Sequence, residues 1–443
     1  MKVVVIGGVA AGMSAAAKLR RMNREAQIVV YEKGDHVSYG ACGLPYFISG
    51  ENEDARKLIA RTKEEFAKSG ITVKLFHEVI KVVPEKKQVL VKNLQTQQMF
   101  IDFYDKLMIA TGTKPFIPPI PGLHLDNIYT LKTMGDGRSI KEKVESKDVR
   151  DVVIVGGGYI GVEVAEAMVR QGKHVRLIEL GDRILRNFEP EITAIAEEEL
   201  RKNGVSLHLR EKVIGFTGEQ YVTAVQTDKG TYPADLVILA IGVKPATEFL
   251  ADSGIALAEN GAIIVDREMR TNIPDIFAAG DCAQVYHKVM EENSYIPLGT
   301  NANKCGRLAG SNIAGERNKY IGTLGSAAVK IFDMELGRTG LTEADAQLLK
   351  IDYDTVFVKS MDHPDYYPNP TPIWIKLIYE KRTKRILGAH AIGNKGVVLR
   401  IDVFAVAIHN EMTTDELGMT DFCYAPPFAG VWDAIHIACN AAK

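Results

Sequence analysis

Val3-Val4-Val5-Ile6-Gly7-Gly8-Val9-Ala10-Ala11-Gly12 runs from a β-branched apolar stretch into a glycine turn, and Val152-Val153-Ile154-Val155-Gly156-Gly157-Gly158-Tyr159-Ile160-Gly161 repeats the plan about 150 residues on. Each stretch leads into a helical pattern, Met13 to Met22 in one case and onward to Arg170 in the other. A second apolar strand follows and ends in an acid: Glu32, 20 residues past Gly12, and Glu179, 18 residues past Gly161. Such a strand, turn, helix and strand form the βαβ unit that binds a dinucleotide. Glycine lets a pyrophosphate come close, the free N–H groups and dipole of the helix start face it, and the acid reaches a ribose. A lone glycine motif is weak evidence, but two complete units are strong. Val9 stands where the first unit should have its middle glycine; the strand, helix and acid outweigh that departure.

A further strand follows each unit. Leu107 to Gly112 leads to Pro115, and Leu236 to Gly242 leads to Pro245, punctuation expected at crossovers between domains. Asn272 to Asp281 reads as a buried strand that ends in an exposed acid. From Thr323 on, short strands alternate with polar turns: Ala328–Phe332, Tyr353–Val358, Ile373–Tyr379 and Ile386–Ile392. Helical patterns close the chain around Arg400–Asn410 and Val431–Ala441. The expected fold is α/β, with two Rossmann-like dinucleotide-binding domains, one inserted in the other, and a C-terminal α+β domain. Its expected parts are 1–114 (first nucleotide domain), 115–245 (inserted domain), 246–322 (return segment) and 323–443 (tail).

The 443 residues carry a formal charge of −2, so no global field attracts nucleic acid or a membrane surface. No apolar run is long enough to span a bilayer. Met1 to Gly8 enters a strand and glycine turn directly, unlike a signal peptide. The five cysteines are unevenly spaced and include no CxxC pair, so neither a disulfide framework nor a metal site is expected. Together these features suit a cytoplasmic protein. Cys42 lies in Ser38-Tyr39-Gly40-Ala41-Cys42-Gly43-Leu44-Pro45-Tyr46, a turn-like setting rather than an apolar run. Its alternative reading is a buried structural thiol. A redox role needs the thiolate, which a helix N-terminus or charge transfer to an oxidised flavin would stabilise. Ser14, Lys18 and Arg21 share one helix face, which suits either solvent or phosphate groups.

The two glycine units, the Ala110-Thr111-Gly112 turn and the Gly280-Asp281 strand end resemble the flavoprotein disulfide reductases with two dinucleotide-binding domains. The resemblance covers essentially the whole chain. It implies FAD on Gly7, Val9, Ala10, Ala11, Gly12, Glu32, Lys33, Val79, Ala110, Thr111, Gly112, Asp281, Thr300 and Ala302. It implies NADH or NADPH on Gly156, Gly157, Gly158, Tyr159, Ile160, Gly161, Glu163, Glu179 and Gly242. Glu179 favours NADH, since a carboxylate accepts the ribose 2′-OH and repels a 2′-phosphate; Arg183 offsets part of that repulsion, so use of both cofactors is expected. The tail implies a homodimer whose active sites draw on both chains.

Position 37 is Val37 and position 47 is Phe47, so the CxxxxC dithiol of glutathione-reductase-type members is absent. The chain therefore resembles the single-cysteine branch: coenzyme A disulfide reductases, NADH oxidases and NADH peroxidases. The first glycine turn lacks the histidine of the peroxidases. Asp365-Tyr366-Tyr367-Pro368-Asn369 and Tyr424-Ala425-Pro426-Pro427-Phe428 look like the two tyrosine motifs of the coenzyme A disulfide reductases. The resemblance makes Cys42, Tyr366 and Tyr424 catalytic, with Tyr367 as the packing residue and the tyrosines reaching the other chain's cysteine. Tyr424 otherwise reads as an aromatic that packs the tail, and of the adjacent Tyr366 and Tyr367 only one is expected to face the site. It places coenzyme A (CoA) near Ser14, Lys18, Arg21, Ser38, Asn303, Tyr424 and Trp432. His363, His436 and the other four cysteines are expected to be structural. The implied activity is NAD(P)H-dependent reduction of a small-molecule disulfide, CoA disulfide, through a mixed disulfide of CoA with Cys42. An NADH oxidase with a Cys42 sulfenic acid, a polysulfide or persulfide reductase, and a binding flavoprotein with a vestigial site are the rival readings.

Overall fold

The computed structural model describes residues 1–443. The first β-branched run forms the strand Lys2–Ile6, followed by the helix Ala10–Met22 and the strand Gln27–Tyr31. They belong to a five-stranded parallel sheet in the order Ile276–Ala278, Lys106–Ile109, Lys2–Ile6, Gln27–Tyr31, Ile71–Lys74. Val3, Val4 and Val5 are buried, as expected of a central parallel strand covered on both faces. The second unit repeats this in the order Ser206–Leu209, His174–Glu179, Asp151–Val155, Leu236–Leu239, Ile128–Thr130. Each parallel sheet is accompanied by a three-stranded antiparallel one, His77–Phe103 in the first unit and Val213–Pro233 in the second.

The insertion is visible in the strand pairing. Thr113–Pro115 leaves the first unit, Val243–Pro245 returns to it, and the two pair antiparallel with Val243 opposite Pro115. Ile276–Ala278 then completes the first sheet. In both parallel sheets the chain reverses its winding direction beside the central strand, which opens a crevice at the carboxyl ends of the strands. The glycine turns lie at those ends. Gly7 and Gly156 have φ of +99° and +108°, a left-handed conformation open to glycine. A Cβ at Gly7 would also lie 2.2 Å from the carbonyl oxygen of Ala110, and one at Gly156 would lie 2.5 Å from that of Ala240.

The tail is an antiparallel five-stranded sheet in the order Ala327–Ile331, Met334–Gly340, Ile386–Gly393, Pro372–Glu380, Tyr353–Met361. Met334–Gly340 is absent from the sequence expectation; Gly337, Arg338 and Gly340 break up its apolar pattern. Phe332 turns the chain with a φ of +51° and so ends the first tail strand one residue early. The closing helices run Val397–His409 and Ala434–Asn440. The second begins three residues later than expected because Asp433 caps it, accepting from the N–H of Ile435 at 2.9 Å. The tail is tied to the inserted unit by Glu166, whose buried carboxylate accepts from Lys330 Nζ at 2.6 Å and the N–H of Phe332 at 2.7 Å. No helix is long and apolar enough to cross a membrane.

Candidate functional site

Helix starts differ in how they are capped. Five helices carry complete capping boxes, built on Thr62, Thr133, Thr342, Thr413 and Asp433. The helices Ala10–Met22, Tyr159–Arg170 and Gly299–Ile313 have no side-chain cap at Val9, Gly158 or Leu298. Their first N–H groups are left for another acceptor, as a phosphate cradle requires. Val9 has φ −105°, so its position needs no glycine, which explains the departure from the motif. A Cβ at Gly112, Gly158, Gly242 or Gly299 would meet nothing within 4 Å. The cradles are therefore uncapped and roomy, and the residues present fit two dinucleotides.

The two acids are pinned in the same way. Glu32 accepts from the N–H of Gly8 and of Gly34, both at 2.7 Å. Glu179 accepts from the N–H of Gly157 and of Gly181, both at 2.6 Å. Each carboxylate thus sits beside its own glycine turn, at the ribose end of the cradle. Ala110, Thr111, Gly112 and Asp281 line the carboxyl edge of the first sheet and are half-buried, whereas Val79 and Ala302 are buried. Lys33, Thr300 and Asn303 are exposed.

Cys42 sits in a 3₁₀ turn, Ala41–Gly43, directly ahead of the short helix Leu44–Ser49. The loop reaches it through Ser38, held at φ +51° by its N–H donating to the carbonyl of Gly8 at 2.9 Å. That bond fastens the cysteine loop to the first cradle. The thiol is open to solvent and unpaired, yet the protein around it holds its pKa above the ordinary thiol value. Burial is the largest cause, followed by the carboxylates of Glu163 and Asp281; Lys132 and the local backbone pull the other way. The helix start named in the sequence reading is present, but protein groups alone do not favour the thiolate. Lys132 Nζ donates to Thr113 Oγ1 at 2.8 Å and lies 3.7 Å from Asp281 Oδ2.

Tyr159 and Glu163 lie one helical turn apart on Tyr159–Arg170. The hydroxyl of Tyr159 accepts from Asn187 Nδ2 at 2.7 Å, and its ring packs edge-on against Phe188. Glu163 is pushed up to about 7, first by burial and then by Glu166, against a hydrogen bond from Tyr46.

In the tail, Tyr366 Oη lies 2.6 Å from Tyr424 Oη. Both rings are exposed, and no hydrogen bond within the chain links either to Cys42. Tyr367 is also exposed, with its ring edge-on to His363. His363 is buried between Asp362 and the carbonyl of Pro368, and His436 accepts from the N–H of Asp433. Trp432 is exposed, eight residues past Tyr424; Ser14 and Lys18 are half-buried and Arg21 exposed on the first helix. Of the four remaining cysteines, Cys282, Cys305 and Cys439 are buried. Cys423 is exposed, contrary to a structural reading, because it precedes Tyr424 in an irregular loop. Lys132, Tyr46 and Asn187 had no assigned role in the sequence reading. Each acts through a partner distant in sequence, and no local motif marks them.

Residues 1–305 match the family described as pyridine nucleotide-disulphide oxidoreductase, and residues 326–435 match its dimerisation domain. The NAD(P)H sulfur oxidoreductase (CoA-dependent) of Pyrococcus abyssi is 41% identical over 443 residues, which cover 100% of this chain and 98% of that protein. The NADH oxidase of Enterococcus faecalis is 37% identical, with 100% and 99% covered. The crystal structure of reduced Bacillus anthracis CoADR-RHD superposes with a TM-score of 0.96 at 36% identity, covering 100% of this chain and 80% of that one.

Proposed function

The chain belongs to the pyridine nucleotide-disulphide oxidoreductase family, and we propose that it reduces CoA disulfide to two CoASH at the expense of NAD(P)H. The observation that carries this reading is the solvent-open pair of Tyr366 and Tyr424 at 2.6 Å, together with an accessible Cys42 that lacks a dithiol partner. A thiol without a partner in its own chain must take its second sulfur from a small molecule.

The first cradle, with Glu32, Asp281 and the Ala110–Gly112 turn, would hold FAD; the second, with Tyr159, Glu163 and Glu179, would hold NAD(P)H. Bound FAD supplies the transfer of an electron pair from the nicotinamide to a disulfide at Cys42. The Cys42 thiolate attacks one sulfur of CoA disulfide, a Cys42–CoA bond forms, and the S–S bond of the substrate breaks. The departing CoA thiolate takes a proton and leaves as CoASH. The electron pair then breaks the mixed disulfide, frees the second CoA and restores the Cys42 thiolate. Tyr366 and Tyr424 act on the partner subunit's cysteine across a homodimer, donating a hydrogen bond to the departing thiolate. Ser14, Lys18, Arg21, Ser38, Asn303 and Trp432 hold the CoA. The FAD unit comprises 1–114 and 246–322, the nicotinamide unit 115–245 and the dimerisation unit 323–443. The enzyme works in the cytoplasm.

Anaerobic NADH consumption with CoA disulfide, glutathione disulfide, cystine and polysulfide, set against oxygen uptake, tests the reading. CoA disulfide should be turned over fastest. Faster polysulfide turnover, or oxygen uptake that exceeds all four, would replace it with the persulfide reductase or the oxidase reading.

A further inference from the structure

The loop 184–189 lies beside the second cradle and is fastened on two sides. On the cradle side, the N–H of Leu185 donates to the carbonyl of Gly157 at 2.8 Å. Ile184 sits so close to that turn that a Cβ at Gly157 would lie 2.8 Å from its side chain. On the tail side, Arg338 donates to the carbonyl of Asn187, and fully buried His390 accepts from the N–H of Glu189 at 3.3 Å. Arg338 and His390 are direct cross-strand partners in the tail sheet, so one patch of that sheet makes both bonds. The grip holds Leu185 at φ +45°, a strained conformation for a bulky side chain. Strain of this kind persists where the surrounding contacts impose it.

Asn187 joins the tail anchor to the cradle. Its main chain takes the Arg338 bond, while its Nδ2 donates to Tyr159 Oη at 2.7 Å. The next residue, buried Phe188, meets the Tyr159 ring edge-on at 6.1 Å and the His390 ring edge-on at 5.8 Å. Tyr159 opens the helix Tyr159–Arg170, directly after the uncapped Gly158. Its hydroxyl and its ring are therefore both held by a loop that the tail anchors. We propose that Asn187 is a positioning residue for the nicotinamide: tied to Arg338, it keeps the Tyr159 ring drawn against Phe188, so that the nicotinamide enters a site already shaped for it. The inference rests on the reading of the second cradle as the NAD(P)H site. A ring set in advance spares the cofactor the cost of ordering it. The same bonds make the tail sheet part of the nicotinamide site, through a loop distant from it in sequence.

The test is calorimetric titration of the FAD-loaded protein with NAD+ and with ADP-ribose, which fills the same cradle but carries no nicotinamide. Asn187→Ala should weaken NAD+ binding about threefold and leave ADP-ribose within about 1.5-fold of wild type. Asn187 is exposed, so this variant should fold. Tyr159→Phe, which keeps the ring and removes the hydroxyl, should weaken NAD+ to a similar degree, and Asn187→Ala added to it should change nothing further. Arg338→Met should act in the same direction as Asn187→Ala and should not add to it. Equal weakening of both ligands by Asn187→Ala would make the residue a structural part of the loop. Tighter NAD+ binding would make the tyrosine a closed lid. Either result overturns the inference, as do additive effects of Asn187→Ala and Tyr159→Phe. Wild-type protein that binds neither ligand refutes the cradle reading and the inference with it. Normal ADP-ribose binding with NAD+ unchanged in every variant refutes the inference alone.

Discussion

Tyr424→Phe and Tyr366→Phe should have unequal effects, and the structure sets the size of each. Either hydroxyl can donate in the Tyr366–Tyr424 pair, and the division of roles follows from Tyr366 donating to Tyr424. The Tyr424 O–H is then free to donate to a thiolate. Tyr424→Phe removes a hydrogen bond to a charged acceptor, worth about 1.5–3 kcal/mol, or about 13- to 160-fold in rate. Tyr366→Phe removes only a neutral O–H···O bond between two exposed hydroxyls, so its loss in rate should be several-fold smaller. Both rings are exposed, so neither change should move stability by more than about 0.5 kcal/mol. The assay is kcat/KM for CoA disulfide, with the anaerobic rate of flavin reduction by NADH as a control that should not change. Equal losses in the two variants, or a Tyr424→Phe enzyme within twofold of wild type, would refute this division of roles.

Glu179→Gln removes the charge that faces the ribose 2′ position, so the ratio of kcat/KM for NADH over NADPH should fall by about tenfold or more; an unchanged ratio would show that Glu179 does not read that position. Glu166→Ala leaves the buried N–H of Phe332 without its acceptor, and chemical denaturation should show a loss of about 1–3 kcal/mol; an unchanged midpoint would mean that the tail is held to the inserted unit by other contacts. His287 is buried and burial lowers it to about 4, so the unfolded chain binds a proton on this residue below about pH 6.5 that the folded chain refuses until about pH 4. Stability should therefore fall as pH drops through that window, by up to about 3 kcal/mol at its foot, and His287→Asn should flatten the fall. An equal pH slope in the variant would assign the acid lability elsewhere.

The two nucleotide units were legible because their signals are local: a β-branched run, a glycine turn, a helix and an acid lie in one continuous stretch. Gly7 and Gly156 owe their identity to a left-handed turn against the end of a neighbouring strand, and Val9 departs from the motif where no such demand exists. The crossover prolines marked the two strands that pair as the insertion link. In the tail the period-2 strands were readable, but Met334–Gly340 was hidden by glycines chosen for close packing: a Cβ at Gly337 would lie 2.8 Å from Ile401. Cys42 stood out by its setting and by the missing partner cysteine. Its electrostatics did not, because Glu163, Asp281 and Lys132 reach it from three separate segments. Asn187 and Tyr46 were invisible for the same reason, since each matters only through a residue brought beside it by the fold.

The central claim is that Cys42 carries the second sulfur of the reaction as a mixed disulfide. Mass spectrometry of the purified, unreduced protein measures this directly, peptide by peptide. The account predicts CoA attached to Cys42, removed by NADH under anaerobic conditions and absent from exposed Cys423. Disulfide reductase activity that persists in Cys42→Ser, or CoA found on Cys423 with Cys42 free, would contradict it.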